Sequence, residues 1–214
     1  MLLDVVTAAV LAFVGVRLVN GFRASLTTGG RALIGPTVRS IRWRHVWPVP
    51  LVLAAVLGAS VALIQLPGLS FGWWTAIGGH GNPVFGQSNR TAGKVWEWLV
   101  PVVFLLLLTP ALPLFARREE EIFRRGAESW SPARRAGRAV LFGLAHAVIG
   151  IPIGVALALS IGGGYFTWSY LRGWRASGGN QEAALQESTR AHTTYNGVIL
   201  VVVLLATVLS AVTG

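Results

Sequence analysis

The chain has 214 residues, 53% hydrophobic and only 12% charged, with a mean hydropathy of +0.61, which excludes an ordinary soluble domain with about 25% charged residues, a disordered chain and a coiled coil. Its formal charge of +10, from 17 Arg and one Lys against 8 acidic residues, would point to nucleic acid in a soluble protein. Here the Arg lie in short stretches between apolar runs, where a membrane protein carries its orientation signal, and the absence of Cys excludes disulfide scaffolds, Cys-ligated zinc and thiol nucleophiles.

A membrane-crossing helix takes roughly 20 apolar residues. Residues 1–19 form the first; with Asp4 near its start and Arg17 late, it reads as a retained span rather than a signal peptide. A basic loop over 20–45 follows, with Arg23, Arg31, Arg39, Arg42 and Arg44, then a second span over 46–66. Segment 67–93, rich in Gly, Trp and Asn, is expected to be an external loop on the membrane interface, anchored among the headgroups by Trp73 and Trp74. Within it Asn89-Arg90-Thr91 fits the glycosylation pattern, one that chance also produces.

The third span covers about 95–116 and leads into a loop over 117–138 with Arg117, Arg118, Arg124, Arg125, Arg134, Arg135 and Arg138. The apolar stretch 139–171 is too long for one crossing, and Gly150 with Pro152 divides it into a hairpin of two spans. Ala156, Ser160 and Gly164 recur every fourth residue, a spacing of small residues that predicts close helix packing. A loop over 172–190 with Arg172, Arg175 and Arg190 precedes the last span, about 190–213. Alternate loops are basic, which places both termini outside. The expected fold is therefore all-α, a polytopic membrane protein of about six transmembrane helices.

Polar groups at membrane depth are expensive and each needs a reason. Three clusters stand out: Arg117-Arg118-Glu119-Glu120-Glu121-Ile122-Phe123-Arg124-Arg125-Gly126; Phe142-Gly143-Leu144-Ala145-His146; and His192-Thr193-Thr194-Tyr195-Asn196. The other two His, His45 and His80, fall in loops. Taken as one helix, residues 112–130 gather Leu112, Phe115, Ala116, Ile122, Phe123, Gly126, Ala127 and Trp130 on one arc, with Glu119 near its middle. Arg117, Arg118, Glu121, Arg124, Arg125 and Glu128 fill the opposite arc, with Glu120 at the boundary. Glu120 reaches Arg124 and Glu121 reaches Arg125 one turn on, whereas Glu119 meets only Ile122 and Phe123. A carboxylate turned toward an apolar interior without a cation is a candidate general base. The competing reading, a charged helix end at the headgroups, suits Glu121 and the flanking Arg.

His192 and Asn196 share a helix face one turn apart, and two donors near one point suit a developing oxyanion. They equally suit interhelical hydrogen bonding. His146 is either a packing residue or, beside a Glu, a partner that helps hold and activate a water. A Ser–His or zincin-like site is not supported: neither G-x-S-x-G nor H-E-x-x-H occurs.

In this order the clusters resemble the CPBP family, also called the CAAX protease and bacteriocin-processing or ABI family, of intramembrane endopeptidases. Its pattern is two adjacent Glu with Arg five after the first, then Phe-x-x-x-His, then His-x-x-x-Asn, and all three parts occur between 119 and 196. The resemblance implies a CPBP-type helical bundle, with a core over 95–214 that carries catalysis and an N-terminal pair of spans with its external loop over 1–94. It gives the attacking water to Glu119 and His146, the oxyanion to His192 and Asn196, and to Glu120 and Arg124 an ion pair that orients the helix. Sliding the register by one makes Glu120 the base, followed by Glu121 and Arg125-Gly126. Family members are often labelled metalloproteases; a divalent metal such as zinc would take Glu119, His146 and His192, but a glutamate-and-water mechanism is the better account and requires no cofactor. The expected partners are a membrane protein or peptide substrate and the lipid bilayer, not nucleic acid, with the site on the cytoplasmic side of a bacterial plasma membrane. Two rival readings remain: a non-catalytic immunity or scaffold protein that keeps the fold, and a transporter or proton relay, against which the lack of an inverted repeat speaks.

Overall fold

The computed structural model describes residues 2–76, 81–82, 87–88 and 93–213; His80 and the Asn89-Arg90-Thr91 pattern lie outside the described residues. The regular structure among those residues is helical apart from a two-residue antiparallel pairing of β1 (Gly81–Asn82) with β2 (Gln87–Ser88). The helices are α1 (Leu2–Leu26), α2 (Thr28–Arg39), α3 (Trp43–Val46), α4 (Val49–Ile64), α5 (Trp73–Ala76), α6 (Trp96–Arg124), α7 (Pro132–Ala145), α8 (Ile153–Ala158), α9 (Ser160–Ala176) and α10 (Gln181–Thr213).

Three helical stretches among the described residues are long and apolar enough to cross a membrane, Asp4–Leu26, Trp43–Ile64 and Trp96–Ser129, where the sequence predicts six. For the expected fourth and fifth spans the shortfall has a physical cause, whereas the sixth, about 190–213, runs past the residues whose side chains are described. α7 has only 14 residues and opens on Pro-Ala-Arg-Arg-Ala-Gly-Arg, and the apolar stretch after Gly150 is divided between α8 and α9.

The basic loops of the sequence reading are largely helix. α1 runs to Leu26, and Thr27 then caps α2, its hydroxyl accepting from the Gly30 N–H at 3.0 Å. A Cβ at Gly30 would sit 2.0 Å from the Ala24 carbonyl, so this tight corner requires glycine. α6 continues through the Glu run to Arg124, its internal Pro101, Pro110 and Pro113 notwithstanding. Gly126, at φ 87°, stops it in the left-handed region that glycine adopts freely. α7 starts at a Ser131 cap with proline in its first turn. α9 and α10 are joined by 177–180 alone, where Gly178 and Gly179 both have positive φ. Charge thus marks helix ends here rather than loops.

The chain reverses where the hairpin is predicted, although neither limb is among the three helices long and apolar enough to cross a membrane. Gly150 turns the chain at φ 86°. A Cβ at Gly143 of α7 would lie 2.3 Å from the Ala156 carbonyl and 2.7 Å from the Ser160 hydroxyl, while one at Gly163 of α9 would lie 3.0 Å from the Ala139 carbonyl. α7 and the α8–α9 limb therefore run antiparallel in close contact. Of the three small residues expected to pack, Ala156 and Ser160 do; Gly164 is exposed with nothing near it, and Gly163 takes its place. α1 lies along α6, where Gly21 makes room for the Phe115 ring, and α10 runs antiparallel to α6.

Trp74 is 3% exposed, which overturns its expected role as a headgroup anchor. Trp73 instead donates its indole N–H to the Val148 carbonyl at 3.0 Å. Nearby, the Ile153 and Gly154 N–H groups donate to the Phe71 and Leu69 carbonyls at 3.1 and 2.8 Å. Segment 69–74 is a clamp over the hairpin turn.

The Gly143 contact is with backbone and cannot be relieved by a rotamer change. Gly143→Val is expected to lower the melting midpoint in detergent by the equivalent of about 1–3 kcal/mol or more, whereas Gly164→Ala should leave it within about 1 kcal/mol; fluorescence-detected size-exclusion melting reads both.

Candidate active site

The bundle centre is built around an aromatic cluster of Phe142 from α7, Phe166 from α9 and Tyr195 from α10. Into it α6 projects Glu120 and Arg124, one turn apart and both fully buried. Arg124 Nη1 lies 3.3 Å from Glu120 Oε1, and its Nη2 donates to the Gly163 carbonyl at 3.2 Å. The guanidinium carbon sits 4.2 Å from the Phe142 ring centroid and 5.4 Å from that of Phe166, within cation–π range.

Glu120 Oε1 also lies 2.9 Å from His192 Nδ1. A carboxylate only accepts, so the ring hydrogen is on Nδ1 and a neutral His192 presents its Nε2 lone pair on the other side. The His192 ring stacks on Phe166 at 4.2 Å and 18°. Its Nε2 is 3.7 Å from Glu119 Oε2. That is too long for a direct hydrogen bond, and both atoms are buried without a hydrogen-bond partner among the described residues. The Glu119 side chain is 33% exposed where Glu120 is sealed in.

This reverses the helix-face expectation. Glu120 is interior, Glu119 stands at the margin, and Ile122 is 47% exposed. The arc that gathers Ile122 is not the interior one, since in a bilayer apolar side chains are content to face lipid while ionisable ones turn into the bundle. The arc also assumed a helix to 130, but α6 ends at Arg124, so Gly126, Ala127 and Trp130 were never on it. Arg117, expected on the polar arc, is buried; it donates to Glu121 at 2.9 Å and to Glu182 of α10 at 2.8 Å, tying the two helices together. The expected pairs Glu120–Arg124 and Glu121–Arg125 are both present.

His146 follows α7 in a half-buried 3₁₀ turn. Its Nδ1 lies 2.9 Å from the Phe142 carbonyl, which leaves Nε2 free to point elsewhere. The Phe142 ring touches both imidazoles, His146 at 4.9 Å and His192 at 5.6 Å. The two histidines therefore flank one aromatic ring, but no hydrogen bond or ion pair among the described residues joins His146 to Glu119. Asn196, half-buried one turn after His192, makes no side-chain hydrogen bond among them either. No three His, Asp or Glu side chains among the described residues form a group that could hold a metal ion, Glu119, His146 and His192 included.

The sequence reading missed a second buried charge centre. Glu187 of α10 receives Arg172 Nη2 at 2.6 Å, Arg44 Nη2 at 3.1 Å, His45 Nε2 at 3.1 Å and Arg190 Nη1 at 3.4 Å. His45, assigned to a loop, is fully buried on α3, its Nδ1 accepting from the Arg42 N–H at 2.9 Å. The available signal was the rarity of carboxylates: Glu187 is one of eight acidic residues.

Removing one member of a buried pair strands the other's charge at about 3–5 kcal/mol. Glu120→Ala should therefore lower the melting midpoint sharply, whereas Glu119→Gln, at a part-exposed position, should change stability by under about 1 kcal/mol. Burial opposes the charge on Glu187, but hydrogen bonds from His45, Arg172 and Arg44 hold its carboxyl below the ordinary 4.5. A carboxyl more acidic in the folded than in the unfolded chain contributes fully above the ordinary value and loses that contribution as pH falls toward its folded value. The melting midpoint is expected to drop as pH is lowered below about 4.5; Glu187→Gln should begin lower and show a shallower pH slope.

Compared with protein-family models, curated proteins and solved structures, the chain matches none.

Proposed function

We propose that the chain is an intramembrane endopeptidase of the CPBP type that hydrolyses peptide bonds with a Glu/His-activated water. In this reading six helical stretches cross a bacterial plasma membrane, both termini lie outside, and the site faces the cytoplasmic half of the bilayer. The observation that carries it is the facing pair of Glu119 Oε2 and His192 Nε2, 3.7 Å apart and both unpartnered among the described residues. A water donating one hydrogen to each would be held with its lone pair free. Attack on a substrate carbonyl carbon transfers the water proton to Glu119, which returns it to the departing amine as the C–N bond breaks. Asn196, one turn beyond His192, supplies an amide N–H for the oxyanion, and His146 lines the opposite side of Phe142. Glu120 and Arg124 act by position: they fix the His192 ring and the hydrogen on its Nδ1.

Two features support this assignment over Glu120 as the base. Glu120 is sealed in the core with its charge committed to Arg124, while the Glu119 side chain is 33% exposed, its Oε2 alone being turned inward toward His192. An apolar groove lined by Val38 of α2, Ile41 just beyond it, Leu112 and Pro113 of α6, and Thr193 and Val201 of α10 suits an apolar peptide segment, although neither Glu119 nor His192 lines it.

In purified, detergent-solubilised protein, Glu119→Gln and His192→Ala are each expected to reduce cleavage of a membrane-peptide substrate by about 10²–10⁴-fold. Asn196→Ala should cost about 10²–10³-fold, with Glu119→Gln melting like the parent. Full cleavage by both Glu119→Gln and His192→Ala would defeat the proposal.

A further inference from the structure

The Glu187 centre carries more positive charge than it neutralises. Three guanidiniums, those of Arg44, Arg172 and Arg190, converge on one carboxylate, which leaves two positive charges in excess. The carboxylate is 6% exposed, but the arginines are 47%, 30% and 21% exposed in that order, so the cluster reaches the surface, while Arg190 Nε is a buried donor without a partner among the described residues. Arg44 is the second residue of the Trp43–Ile64 stretch, Arg172 sits near the end of α9, and Arg190 lies where the last apolar run begins. The short helix α3, the end of α9 and the polar first part of α10 thus supply the cluster. It is ringed by exposed aromatics: Trp43 and Trp47 flank Arg44, and Trp168 lies under the Arg172 guanidinium at 4.8 Å. Indole beside arginine at the end of an apolar helix is the chemistry of the lipid–water interface, and clustered arginines there match a phosphodiester both in charge and in forked N–H geometry.

We propose that Arg44, Arg172 and Arg190 form a binding site for the phosphodiester headgroup of an anionic phospholipid, organised by the buried Glu187. The inference rests on the membrane placement of α4 and not on the peptidase reading. Glu187 is the internal counter-ion: it aligns the guanidiniums in the absence of lipid and leaves donors for the phosphate oxygens.

The test uses the full chain in detergent micelles, with indole fluorescence to follow short-chain phosphatidylglycerol, short-chain phosphatidylcholine and inorganic phosphate. Phosphatidylglycerol should bind at least tenfold more tightly than either of the others. Arg44→Gln and Arg190→Gln should each weaken it about 5-fold, the equivalent of about 1 kcal/mol per interfacial arginine. Arg175→Gln, which removes the same charge from an exposed position near the end of α9 outside the cluster, should change it less than twofold. Glu187→Gln, which removes the competing carboxylate, should bind as tightly or more so; if that variant does not fold, the half-exposed Arg44 carries the test alone. Equal binding of the two lipids, or an equal loss from Arg175→Gln and Arg44→Gln, overturns the site. Phosphate binding as tightly as phosphatidylglycerol overturns the lipid assignment in favour of a free anion.

Discussion

The central constraint is that one guanidinium and one carboxylate are enclosed together in an apolar bundle. Neither Glu120 nor Arg124 can be accommodated alone, because an unpaired charge at that depth costs several kcal/mol. Their pairing fixes the rotation of α6, and it recruits the Gly163 carbonyl from α9 and the His192 ring from α10. Phe142 and Phe166 then close around the guanidinium. The rest of the centre follows from satisfying this one buried pair, and the position of Glu119 is a by-product: it is the next residue on a helix whose rotation its neighbour has set.

That arrangement divides two adjacent carboxylates between different tasks. Glu120 has its strong partners in place and is unsuited to exchanging protons with a substrate. Glu119 has a near neighbour it cannot quite reach and an opening to the outside. Identical side chains one residue apart thus acquire different chemistry from a rotation of about 100° around the helix axis.

Much of the helical content was legible, because runs of twenty apolar residues have few other solutions. Residues 46–66 and 95–116 fall on α4 and α6, and Gly150 with Pro152 marks the turn where the hairpin reverses. The Glu120–Arg124 pair was readable from spacing alone. The burial order of Glu119 and Glu120 was not, because amphipathicity reports the inward face only where the surroundings are water. Ile122 facing outward and Arg117 facing inward show the rule failing in both directions on one helix. The His45–Glu187 contact was illegible for another reason: its partners are 142 positions apart, and no local pattern connects them.

The backbone around Gly150 has one more implication. Pro152, which caps α8, offers no side-chain acceptor, so the first N–H groups of that helix look elsewhere and find the carbonyls of Phe71 and Leu69. In hydrocarbon each such group left bare would cost several kcal/mol. The second half of the polypeptide is therefore not chemically self-sufficient. A fragment starting at residue 95 would retain all the residues of the Glu119–His192 pair yet lack the acceptors for its own re-entrant bend, and co-expression with the first half would be needed to restore them.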